Sequence, residues 1–74
     1  MNDYEYILIC AIRYALGRQT YMVEVVTNYI INEIPKLTNK CKDIMIRDIE
    51  NPLSGYGASW DKEKWMLLLE ELKK

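Results

Sequence analysis

Apolar residues recur at helical spacing along most of this chain, and polar interruptions divide it into four segments. The first segment, from about Asp3 to Leu16, reads as a helix that Asn2 or Asp3 can cap, with an acidic first turn suited to the positive end of the helix dipole. Only Glu5 and Arg13 mark a polar side on it. Ile7, Leu8, Ile9, Cys10, Ala11, Ile12, Tyr14, Ala15 and Leu16 cover nearly the whole remaining circumference. A helix apolar almost all round is usually the central one of a domain, contacted on several sides. Gly17 is suited to a left-handed stop, and Arg18 follows it.

Thr20 can cap a second helix, about Tyr21 to Glu33, which Ile34-Pro35 ends because the residue before proline avoids the helical region. Met22, Val23, Val26, Ile30 and Ile34 form its inward stripe, with Glu24, Thr27, Asn28 and Asn32 opposite. Val, Ile, Thr and Tyr are abundant here and favour strands. Strict alternation fails, however, so helix is the better reading. Thr38 or Asn39 opens a third helix to about Glu50, with Cys41, Ile44, Met45 and Ile49 as its stripe, before Asn51-Pro52 breaks it. Residues 51–59 read as a loop. Ser59 or Asp61 then caps a last helix to about Leu72, with Trp65, Leu68, Leu69 and Leu72 on one side. The expectation is an all-α fold, a compact bundle of about four short helices forming a single domain over 1–74.

Composition narrows the function classes. Half of the 74 residues are apolar, enough for a core. Ten Lys and Arg balance eleven Asp and Glu for a net charge of −1, which speaks against both a nucleic-acid binder and a DNA mimic. The opening Met1-Asn2-Asp3-Tyr4-Glu5 lacks the basic stretch of a signal peptide. The longest apolar run, Tyr6 to Ile12, falls far short of the ~20 residues that span a bilayer. A cytoplasmic location without membrane contact is expected. Cys10 and Cys41 both lie on apolar stripes and read as buried free thiols, a disulfide being the alternative in an oxidising compartment.

The chain contains no histidine. That removes the commonest general base, the commonest metal ligand and every Ser-His or Cys-His nucleophile pair. Gly17, Gly55 and Gly57 form no phosphate loop. Glu63, Glu70 and Glu71 share a wet face with Lys62, Lys64 and Lys73, as an ordinary solvated surface would. Neither catalysis nor a cofactor is expected. Asp48 is the one carboxylate inside an apolar stripe, and it can pair with Arg13 or Arg47 or cap another helix.

Interaction features remain. Arg13, Tyr14, Arg18 and Tyr21 surround the Gly17 turn, and Arg and Tyr are enriched at interface hot spots. The plainer reading is that Tyr14 packs in the core while Arg13 meets a carboxylate. Ile31 and Leu67 are apolar residues on otherwise polar faces and could contribute to a docking patch or a homodimer seam. Tyr56 between two glycines, with Trp60 after it, reads as a recognition tip or as a lid folded over the core edge. The partner-binding candidates are therefore Arg13, Arg18, Tyr21, Ile31, Tyr56, Trp60 and Leu67. A helix-turn-helix is disfavoured, because Tyr21-Met22-Val23-Glu24 would open its reading helix without a cation. Lys36, Lys40, Lys42 and Arg47 make a better phosphate face, diluted by Asp43, Asp48 and Glu50.

The segment Ile7 to Tyr21, with Arg-Tyr-Ala-Leu-Gly-Arg-Gln-Thr-Tyr at Arg13–Tyr21, resembles small proteins encoded by bacteriophages and prophages. The closing Trp65-Met66-Leu67-Leu68-Leu69 is similar to theirs more loosely. The resemblance implies a setting: a protein that binds a host protein and blocks it, a CRISPR nuclease being one such target, as in an anti-CRISPR inhibitor. A small nucleic-acid-binding regulator and a homo-oligomeric structural or assembly protein are the alternatives.

Overall fold

In the computed structural model the first helix, α1, runs Asp3–Ala15, and Asn2 starts it. The Asn2 backbone is extended, and its Oδ1 accepts the Glu5 backbone N–H at 2.9 Å, satisfying one of the orphan donors of the first turn. Helix α2 (Thr20–Glu33), a 3₁₀ turn (Ile34–Lys36), α3 (Asn39–Ser54) and α4 (Lys62–Leu72) follow. The structure describes the backbone of residues 1–16, 20–54 and 62–74, and the side chains of these apart from 20, 21 and 52–54. The expected glycine stop at Gly17 and the expected caps at Ser59 or Asp61 lie outside the described residues.

The described residues form an all-α bundle. Helix α1 packs on α2 and α3, and α4 packs on the same two, so the packed pairs close a ring in the order α1, α2, α4, α3. The Cα radius of gyration is 11.0 Å, close to the ~11 Å of a well-packed chain this long. Each helix contributes to one core, through Ile12 of α1, Val23 and Ile30 of α2, Cys41, Met45 and Ile49 of α3, and Trp65 and Leu68 of α4. Trp65, Leu68, Leu69 and Leu72 are buried together, as the α4 pattern predicts. No described helix is long and apolar enough to cross a membrane.

Three expectations need correction. Helix α1 is not surrounded. It buries Glu5, Leu8, Ile9, Ile12 and Ala15, while Tyr6, Ile7, Cys10 and Tyr14 are exposed. A member of a four-helix ring has two flanking neighbours and an outward side, and apolar residues there carry no marker distinguishing them from core. Cys10 is accordingly an exposed thiol, and Tyr14 is not a core residue; only Cys41 is a buried free thiol.

Helix α2 is helical throughout, but its buried side is turned from the expected stripe toward Thr27. The Thr27 hydroxyl donates to the Val23 carbonyl at 2.8 Å and lies 3.3 Å from that of Glu24, so it is satisfied within its own helix and can be buried. Ile31, next to that side, is half-buried against the core and not on a polar face. Helix α3, third, continues through Asn51-Pro52 to Ser54 instead of stopping at Glu50. A proline in the last turn removes a single backbone donor, a cost the end of a helix tolerates better than its middle.

Candidate protein-interaction surface

Helices α1 and α2 meet with matched spacing. Tyr4, Ile7 and Ala11 on α1 lie opposite Val25, Val26 and Tyr29 on α2, and between the two rows runs an open, almost wholly apolar groove of about 380 Å³. The i, i+3, i+7 spacing puts the α1 residues on one side of their helix, and Ala11, the smallest of them, leaves room between the rows. Leu8 and Ile30 of the core form the floor. Ile7, Val25 and Tyr29 keep 66%, 51% and 54% of their surface in solvent. An apolar depression with several half-exposed aliphatic and aromatic walls is the kind of surface that docking sites present.

One end of the groove is closed by a polar contact. The Tyr4 hydroxyl donates to the Glu33 carboxylate, tying the start of α1 to the end of α2. That hydrogen bond pushes the Tyr4 phenol up to about 12. Lys36 Nζ lies 3.6 Å from the same Glu33 oxygen.

The most deeply placed carboxylate described is on the α3 side of α1. Glu5 is 1% exposed, and its Oε2 accepts both the Thr38 backbone N–H at 2.7 Å and the Thr38 hydroxyl at 2.9 Å. Thr38 Oγ1 in turn accepts the Cys41 N–H at 3.3 Å, which makes Thr38 the cap of α3. The carboxylate therefore sits at the positive end of a helix. The Thr38 N–H holds it below the ordinary carboxylate range, against the opposing cost of burial. Burial, reinforced by the neighbouring Glu5 charge, pushes the Cys41 thiol up to about 11. A thiol held protonated in a packed core is a poor nucleophile. The Glu5–Thr38–Cys41 cluster does structural work, joining the first turn of α1 to the first turn of α3.

Asp48 is partnered by Arg13, whose Nε lies 2.7 Å from Asp48 Oδ2, in one of the pairings the sequence allows. Among the described residues, no group of three or more Cys, Asp or Glu is arranged to hold a metal ion.

The residues expected to bind a partner are not gathered at one place. Arg13 is exposed but engaged with α3, and Leu67 is exposed beside Met66 on α4, across the ring from α1. Ile31 offers little beyond its core contact. Arg18, Tyr21, Tyr56 and Trp60 lie outside the described side chains. Sequence reasoning missed Tyr4, Tyr6, Ile7, Val25 and Tyr29. The signal that could have found Tyr6 and Ile7 was the near-complete apolarity of α1, which fits an outward docking side as well as a central position.

No protein-family model matches the chain, and neither a curated protein nor a solved structure matches it.

Proposed function

We propose that this chain is a non-catalytic interaction protein of phage type that binds a host bacterial protein in the cytoplasm and inhibits or modulates it. The apolar groove between α1 and α2 carries the docking part of this reading. Its fitting occupant is an apolar helical segment of the host protein, whose side chains at i and i+4 would enter between Ile7, Val25 and Tyr29. Two buried groups fit a role without chemistry: Glu5 Oε2 accepts from Thr38, and burial pushes the Cys41 thiol up. The phage setting rests on the resemblance at Arg13–Tyr21, and a defence nuclease such as a CRISPR effector is the target class that resemblance implies.

The test is recovery of a partner from bacterial lysate, followed by titration of the purified partner against Ile7→Glu, Val25→Glu and, as a control on another helix, Leu67→Glu. Both groove variants should lose at least ~10-fold in affinity, because each places a charge against an apolar surface. Binding by Ile7→Glu and Val25→Glu equal to that of Leu67→Glu would remove the groove from the proposal. Nucleic acid titrated at low salt, where phosphate contacts are strongest, should give a flat curve.

A further inference from the structure

Two neighbouring side chains at the start of α1 grip the two ends of one connection. Tyr4 donates to Glu33, the last residue of α2, and Glu5 accepts the backbone N–H and the hydroxyl of Thr38, the cap of α3. Only the 3₁₀ turn and Leu37 lie between Glu33 and Thr38. The connection has its own anchors. Leu37 is buried, Ile34 packs against the core, and the Leu37 N–H donates to the Ile34 carbonyl at 3.0 Å. The first turn of α1 has fewer. Leu8 is the first buried apolar residue of that helix, Tyr4 is half-buried, and Asp3, Tyr6 and Ile7 are exposed.

The buried half of this grip is incompletely satisfied. Glu5 Oε2 takes both Thr38 donors, while Oε1 is buried without a hydrogen-bond partner among the described residues. A buried acceptor left without a donor costs free energy, and exposure to water on opening returns part of it. Thr38 is exposed, so solvent is close at hand. The turn that depends most on polar ties is therefore also the one whose release costs least.

We propose that residues 2–5 form a clasp on the connection over 33–38, opening and closing as one unit and coupling the groove to the start of α3. Tyr4 and Glu5 are consecutive in a single helical turn, so the backbone cannot swing one side chain away without disturbing the other. Tyr4 is also a wall of the groove, whereas Thr38 is not among the described residues that line it. Opening removes that wall and frees the Thr38 donors together. By linkage, an occupant that touches Tyr4 in the groove holds the Thr38 N–H closed. The clasp stands on contacts within this chain, and only its response to an occupant rests on the docking reading of the groove.

Native-state hydrogen exchange, read amide by amide, tests the clasp. The Thr38 amide should be protected, yet at least ~10-fold less than the Ile49 amide in the core, because local opening suffices to expose it. Tyr4→Phe deletes a hydroxyl bonded to Glu33, and it should lower Thr38 protection at least ~5-fold more than it lowers that of Ile49. Arg13→Ala releases a different tie between α1 and α3 and should leave the Thr38 amide unchanged relative to Ile49. Thr38 protection equal to that of Ile49, or equal responses to Tyr4→Phe and Arg13→Ala, overturns the proposal. Saturation with the purified host partner should raise Thr38 protection. A partner that loses affinity for Ile7→Glu and Val25→Glu but leaves the Thr38 amide unchanged overturns the coupling. If those variants bind like the parent, the docking reading fails and the exchange rates of the free chain decide the clasp.

Discussion

Two isoleucines on α1, five positions apart, should respond very unequally to the same truncation. Ile12 is 0% exposed and lies in the core, whereas Ile7 is 66% exposed on the outward side. Replacing either by alanine removes three carbons. At ~0.8 kcal/mol for each buried carbon, Ile12→Ala loses about 2.4 kcal/mol of transfer free energy. The cavity left behind brings the total to roughly 3 to 4 kcal/mol. For Ile7 only about a third of the transfer term applies, near 0.8 kcal/mol, and no cavity forms. The better helix propensity of alanine returns about 0.4 kcal/mol, leaving a net change within ~0.5 kcal/mol.

A chain of this length has a total stability on the order of 4 to 11 kcal/mol, so Ile12→Ala consumes a large part of it. Urea titration followed by circular dichroism measures both. With a slope near ~1 kcal/mol per molar, the Ile12→Ala midpoint should fall by about 3 M and that of Ile7→Ala by less than ~0.5 M. Equal losses, or a larger loss at Ile7, would refute the orientation assigned to α1 and with it the groove.

Other outcomes follow from the polar contacts. Because the Glu5 carboxyl is held below its ordinary range, its contribution is present above the unfolded value and disappears as pH falls through the folded one. Stability measured from pH ~6 down to ~3 should therefore drop less steeply in Glu5→Gln than in the parent. Tyr4 and Cys41 work in the other direction. Raised to about 12 and about 11, they stabilise fully below their unfolded values and lose that contribution as pH rises through the folded ones, so Tyr4→Phe should flatten the alkaline limb. An aromatic disulfide reagent should titrate one thiol, Cys10, in the native protein and both thiols in denaturant; rapid reaction of both in the native state would contradict the burial of Cys41. Arg13 is solvent-exposed in its pair with Asp48, so Arg13→Ala should change the urea midpoint only slightly, and less at high salt.

The parts of the fold governed by local chemistry are legible in the residues. Asn2 caps α1, Ile34-Pro35 closes α2, Thr38 opens α3, and the stripe of Trp65, Leu68, Leu69 and Leu72 points inward. Asp48 announces a partner by interrupting an apolar stripe, and Arg13 provides it. What depends on distant residues is hidden. Glu5 looks like a surface residue until Thr38, 33 positions away, supplies two donors. Thr27 looks polar until its hydroxyl turns back on its own helix. The outward side of α1 and the groove are hidden for a different reason: Ile7 and Ile12 are the same residue type, and only the directions from which α2 and α3 approach distinguish them.

The composition of α2 has a consequence for the chain when it is not folded. Tyr, Val, Thr and Ile dominate Tyr21–Ile31, and the only charge in that stretch is Glu24. These residues are helical through burial against α1 and α4 more than through their own preference, which leans toward extended structure. Once the bundle opens, the same stretch combines high β-propensity, low charge and an absence of proline, the properties of segments that stack into intermolecular sheets. Variants that loosen the core, Ile12→Ala among them, should therefore be lost to aggregation as well as to unfolding, and α2 is where that aggregation should begin.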